Sequence, residues 1–108
     1  MLRLITKHRE YGEFRSSAFL LRTAHFYAAA LSSPTESALG ITVSKRIGKA
    51  HVRNLLKRRI KAWARLPETC LPAGCKFNLI AKQGAGELTW PQLCQELNAL
   101  MDLLQEKL

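Results

Sequence analysis

Between Ile41 and Arg65 the chain reads ITVSKRIGKAHVRNLLKRRIKAWAR, with nine Lys or Arg and no Asp or Glu. The same stretch carries Ile, Val, Leu and Trp at spacings that suit a core. Both properties are met only if one side is buried and the other meets something that neutralises unpaired positive charge. Advancing about 100° per residue over 49–65 predicts a helix with two sides. Val52, Leu55, Leu56, Ile60, Trp63 and Leu66 take one side, and Arg53, Asn54, Lys57, Arg58, Lys61 and Arg65 take the other. Arg59 falls inside the apolar stripe, so it must snorkel out, meet a carboxylate, or sit where the stripe is shallow.

The charge is local. Residues 37–67 hold nine cations and no acid, 1–36 hold five against three, and 68–108 hold three against five, for a net +9 over 108 residues. Solvated helix faces usually mix both signs so that i, i+4 neighbours pair. A face of one sign points to a polyanion, with nucleic acid the leading class and an anionic membrane surface the second. The membrane reading is disfavoured because the core needs Ile60 and Trp63. Arg53, Lys57 and Lys61 are spaced i, i+4 and form a row that can follow a phosphate backbone. Ahead of the helix, Lys45, Arg46 and Lys49 flank Gly48, which permits a tight turn and close backbone approach. The helix N-terminus adds free N–H groups suited to phosphate.

Length and a hydrophobic content of 47% fit one domain, residues 1–108, with its own core. The N-terminus, charged from its third residue, does not read as a secretory signal, and no apolar run approaches a membrane span. Three cysteines, Cys70, Cys75 and Cys94, cannot all pair and lack zinc spacing. They read as ordinary thiols of a reducing cytoplasm, with a Cys70–Cys75 redox pair as the other reading.

Pattern and propensity predict a first helix over about 6–17 with Thr6 as its N-cap. A strand is expected over 18–31, although its alanines also allow a helix, and further strands over 40–44 and 75–82. An amphipathic helix is expected over 89–108. Thr89 and Gln92 would form its capping box, and Leu93, Leu97, Leu100, Met101, Leu104 and Leu108 its apolar face. If strands 40–44 and 75–82 are neighbours, the basic helix is a crossover. The expected class is an α+β sandwich, a mixed sheet of about four strands covered on one face by three helices. Tyr11, Phe14, Phe19, Phe26 and Tyr27 lie among Arg9, Arg15 and Arg22, a mixture that suits single-stranded nucleic acid or, more plainly, a core. The eight acids form no metal-binding or acid–base pattern, so no catalytic residue is expected in the protein itself.

The segment GITVSKRIGKAHVRNLLKRRIKAWAR resembles the signature of the bacterial ribonuclease P protein subunit. That signature is a Gly, apolar residues, Ser-Lys-Lys/Arg, Gly, Ala, then Arg-Asn-Arg-x-Lys-Arg-x-x-Arg. Gly40, Ser44, Lys45, Arg46, Gly48, Ala50, Arg53, Asn54, Lys57 and Arg58 match, and Lys61 takes the last basic place. LITKHREYGEF resembles the family's first helix, and LPAGCKFNLIAKQGAGELTWPQLCQELNALMDLL its closing strand, following loop and last helix.

The resemblance implies a ribosomal-S5-domain-2-like fold with a left-handed βαβ crossover. It implies a ribonucleoprotein that removes the 5′ leader of precursor tRNA by Mg²⁺-dependent hydrolysis on its RNA subunit. Lys45, Arg46, Lys49, Arg53, Asn54, Lys57, Arg58, Lys61 and Arg65 would face that RNA. A cleft between the sheet and the first helix, including Tyr11, Phe14, Arg15 and Phe26, would take the leader. The chain departs from the pattern at Leu55, where the family has Arg, at Arg59, where it is usually apolar, and at Ala29, where it often has Tyr. The alternative is a non-catalytic basic RNA-binding protein of ribosomal-protein or RNA-chaperone type.

Overall fold

The computed structural model describes residues 2–16, 19–34 and 36–107. Ser17, Ala18 and Leu108, which belong to expected elements, lie outside them, as does the side chain of Phe19. Five strands form one mixed sheet: β1 (Leu2–Leu4), β2 (Phe19–Arg22), β3 (Phe26–Ser32), β4 (Ser37–Thr42) and β5 (Cys75–Ala81). The order is β1-β4-β5-β3-β2. β1 and β5 run parallel to β4, while β3 is antiparallel to β5 and to β2. Three helices complete the domain: α1 (His8–Gly12), α2 (Ala50–Ala64) and α3 (Trp90–Lys107). The basic helix α2 is the crossover between the neighbouring parallel strands β4 and β5, as expected.

Alternation along the strands splits the apolar residues between two faces. Phe26, Ala28, Ala30, Leu39, Phe77 and Leu79 pack on Leu56, Ile60 and Trp63 of α2 and on Leu93, Leu97, Leu100, Met101 and Leu104 of α3. Trp63 is fully buried, and its indole N–H donates to Asn98 Oδ1 at 2.9 Å, which ties α2 to α3. The capping box forms in both directions: Thr89 N donates to Gln92 Oε1 at 2.9 Å and Gln92 N to Thr89 Oγ1 at 3.3 Å.

Four expectations need correction. A strand over Leu2–Leu4 is present; three residues are too few to show a period of two. The single strand over 18–31 is a hairpin, bent where Thr23 N donates to Phe26 O at 2.8 Å. Its turn holds no Gly, Asn or Pro to mark it. Thr6 does not cap α1, because the chain is still extended at Lys7 and Ile5 N donates to Leu39 O at 2.8 Å. Helices cover both faces rather than one. α1 and the 3₁₀ turn Glu13–Ser16 lie on the second face, where Ile5, Phe14, Ala29 and Ala38 form a small cluster with Tyr11 and Leu31.

That second layer is held by charge. The Arg3 guanidinium donates to both Glu10 and Glu36, and Lys76 Nζ lies 3.0 Å from Glu10, 3.2 Å from Glu13 and 3.7 Å from Glu36. The Arg3 bond holds the Glu10 carboxyl down to about 2, against the opposing effect of partial burial and with help from Lys76. Arg3 also lowers Glu36. A carboxyl lowered in the folded state contributes stability above its unfolded value and loses it as pH falls through the folded one. The stability advantage of the native chain over Glu10→Gln should therefore be full above pH 4.5 and vanish by about pH 2. Thermal unfolding of both proteins over this range measures it. A difference that stays constant with pH would show that the Glu10 charge does not hold α1.

Candidate nucleic-acid interface

Burial of Leu56, Ile60 and Trp63 fixes the rotation of α2 about its axis and so sorts its polar residues into stripes. Asn54, Arg58 and Arg65 point outward and are exposed. Arg53, Lys57 and Lys61 lie on one flank and are half-buried. Among the described residues, none of the nine cations from Lys45 to Arg65 pairs with a carboxylate. The charge that the sequence left unbalanced is unbalanced in three dimensions as well.

The preceding loop is built for close approach. Lys45–Ile47 form a 3₁₀ turn, and Gly48 takes φ 151°, which favours glycine. No side chain caps the N-terminus of α2, whose cap residue is Lys49. Arg53 Nε donates to Gly48 O at 3.1 Å, so Arg53 also ties the loop to the helix. Arg46 and Lys49 line a hollow closed on its far side by Gln83, Gly84 and Glu87. Gly86 in that second loop sits so close that a Cβ would lie 2.7 Å from Val52 Cγ1.

On the flank of α2 a cleft of about 250 Å³ opens between the helix and the N-terminal segment, lined by Leu4, Ile5, Thr6, Tyr11, Leu39, Ile41, Lys57 and Lys61. It exists because β1 ends early and leaves the edge of β4 without a strand partner beyond Leu39. Tyr11 takes over there. Its hydroxyl oxygen accepts from Ile41 N at 3.1 Å and lies 3.1 Å from Ile5 O and 3.3 Å from Ile41 O, either of which can take its proton. The ring crosses Gly40, where a Cβ would lie 2.8 Å from Tyr11 Cε1. A neighbouring hollow continues the cleft past His8, Thr42, Val43, Lys57 and Asn78.

The expected cleft residues fare unequally. Tyr11 lines the cleft. Arg15 is exposed, but it does not line either hollow. Phe14 is 8% exposed and is a packing residue of the small cluster. Phe26 must be removed, since it is 0% exposed and on the opposite face, against α2 and α3. The parity of β3 is the reason, because Phe26 and Tyr27 cannot share a side. Lys57 and Lys61, assigned to the RNA-subunit face, form a wall of the cleft. His8, Thr42 and Asn78 were missed; Thr42 and Asn78 are brought in by the pairing of β4 with β5, which only their alternation hinted at, and His8 by the packing of α1 on the same face.

Leu55 and Arg59 also differ from expectation. Leu55 is 39% exposed and does not extend the core. Arg59 meets neither solvent alone nor a carboxylate: its Nη1 donates to the backbone carbonyl of Leu88 at 3.0 Å, ahead of α3. Its charge is thus spent on the fold, away from the cleft.

A small α+β domain with a one-signed basic crossover helix beside an open cleft presents a surface whose charge complements a polyanion. The comparisons are narrower. The ribonuclease P family model matches residues 2–105. The ribonuclease P protein component of Geobacter sp. (strain M21) is 34% identical over 104 residues, covering 95% of this chain and 89% of the relative. That of Syntrophobacter fumaroxidans is 36% identical over 93 residues, covering 84% and 78%. The RNase P protein of Thermotoga maritima superposes with a TM-score of 0.83 at 22% identity, covering 94% of this chain and 96% of that one. A mutant Staphylococcus aureus RNase P protein superposes at 0.84 with 22% identity, covering 94% and 87%. The chain belongs to the ribonuclease P protein component family.

Arg59→Leu should destabilise the domain by about 1 kcal/mol, because the Leu88 carbonyl loses a charged donor in a half-buried site. It should leave RNA affinity unchanged. Denaturant melts and an RNA-binding titration measure the two effects. A more stable variant that binds RNA poorly would show that Arg59 serves the RNA instead.

Proposed function

We propose that this protein is the accessory subunit of a ribonuclease P ribonucleoprotein, binding a catalytic RNA and the 5′ leader of precursor tRNA so that the leader is removed. The observation that carries the reading is the unpaired basic flank of α2 forming one wall of a cleft whose other wall is Tyr11. Lys57 and Lys61 supply charge for a single-stranded backbone and Tyr11 an aromatic surface nearby, the combination that binds unpaired nucleotides. The outward stripe of Asn54, Arg58 and Arg65, continued by Lys45, Arg46 and Lys49 of the preceding loop, serves the phosphates of the RNA subunit, with Arg53 at the loop end of the flank between the two sets. The two sets of cations let one helix touch two RNAs.

Hydrolysis belongs to the RNA subunit and to the Mg²⁺ that it binds. The three partly buried of the protein's eight acids are engaged by its own side chains. Glu10 and Glu36 are turned to Arg3 and Lys76, and Glu96 to Thr23 and His25. What the protein supplies is positive charge between two polyanions, which substitutes for part of the cation atmosphere they would otherwise need.

The test is cleavage of precursor tRNA at low Mg²⁺ by the protein, by the RNA subunit, and by both. The protein alone should cut nothing, and the pair should cut at Mg²⁺ concentrations where the RNA alone is inactive. Cleavage at the mature 5′ end by protein free of RNA, or an RNA subunit indifferent to the protein, would overturn the proposal.

A further inference from the structure

The sheet face continues past the cleft at Thr42. The strand register places Thr42 opposite Ile80, Ile80 opposite Tyr27, and Tyr27 opposite Arg22, a single row across four strands. Alternation puts this row on the face that carries Gly40 and Asn78, the side on which Tyr11 lies. Three interstrand steps make the row about 14 Å long. α1 covers the sheet around Ala29 and Ala38. Beyond it Tyr27 and Ile80 are half-buried and Arg22 is exposed.

At the far end the row carries positive charge. Lys82 Nζ sits 4.9 Å from the centre of the Tyr27 ring and donates to Thr23 O at 3.1 Å. Among the described residues, neither Lys82 nor Arg22 meets a carboxylate. The lysine is held in place, not merely draped. Its backbone N–H donates to His25 O at 2.8 Å, and the turn that supplies both carbonyls is fastened from behind by Glu96 of α3. Glu96 accepts from the Thr23 hydroxyl and from His25 N at 2.6 Å, and lies 2.7 Å from His25 Nδ1. Burial alone would raise the Glu96 carboxyl, but these hydrogen bonds together keep it lowered and charged.

We propose that Tyr27 and Lys82 are an RNA-contact pair at the far end of the open sheet face, taking a base and a phosphate of the single strand that leaves the cleft at Thr42. The ammonium lies over the ring, within reach of a phosphate, and the part of the half-buried ring that it leaves open offers a stacking surface that any base can use. Arg22 adds the next positive charge along the path. This inference rests on the reading of the cleft as a single-strand site.

The experiment compares two precursor tRNAs bound to the assembled ribonucleoprotein, one with a leader too short to leave the cleft and one with a leader long enough to cross the sheet. Wild type should bind the long leader more tightly. Tyr27→Leu keeps an apolar side chain of similar bulk without the ring, and should weaken the long leader about 5- to 30-fold while leaving the short one unchanged. Tyr27→Phe should restore binding. Lys82→Gln should reduce the salt slope of the long leader alone by about 0.7. The unchanged short leader guards against a misfolded variant. If wild type prefers the long leader and Tyr27→Leu and Lys82→Gln bind it normally, the pair has no such role. If wild type does not distinguish the leaders, no RNA is held past Thr42 and the pair has no such role, while the reading of the cleft, which the short leader already fills, stands. If neither leader binds more tightly than a tRNA with no leader, the reading of the cleft itself fails.

Discussion

The angle at which α2 sits about its own axis decides where each cation of the helix can go. Leu56, Ile60 and Trp63 set that angle by burying themselves against the sheet and α3, and Trp63 locks it with a hydrogen bond to Asn98. A rotation of one residue would bury a lysine or expose the tryptophan, at a cost of several kcal/mol either way. Because the buried stripe is narrow, the remaining positions divide into an outward stripe and a flank. The helix is a crossover between parallel neighbours, so it has no freedom to slide away from the strand edge that its flank overlooks.

The cleft is the consequence of a strand that stops. β1 pairs with β4 for three residues and then turns away, exposing backbone groups that a longer strand would have bonded. Tyr11 satisfies the freed Ile41 N–H with a side chain, which leaves room where a strand would have filled it. Gly40 allows the ring to lie flat on the sheet, and Arg3, Glu10, Glu36 and Lys76 pin α1 in place from the far side. Of the three acids that are partly buried, Glu10 and Glu36 are used in this way and Glu96 fastens the Thr23–His25 turn, and none of them pairs with a cation of α2. The separation of pinned acids from unpaired bases is what leaves the cleft wall positive.

The basic helix, the strand 75–82 and the last helix with its capping box were legible because each declares itself locally, by period or by cap. The signature residues from Gly40 to Lys61 made the family legible too. The first strand and the hairpin were not. Leu2–Leu4 is shorter than any pattern it could show, and Thr23–His25 turns without turn residues because Glu96, more than seventy residues away, holds it. The same distance effect hid the site. Phe26 and Tyr27 are adjacent in sequence, and only the pairing of β3 decides that the first is core and the second faces the cleft side. Arg59 looked misplaced because a backbone carbonyl such as that of Leu88 carries no mark in a sequence.

The division of α2 into two RNA-facing stripes is the central claim, and side-chain NMR tests it directly. A single-stranded RNA of leader sequence, titrated into the protein labelled at Lys and Arg nitrogens, should shift the Lys57 and Lys61 ammonium signals together with the Tyr11 ring. Arg58 and Arg65 should move little until the RNA subunit is added. Equal shifts across all of these side chains from the leader alone would show a uniform basic surface, and the two-stripe account would be wrong.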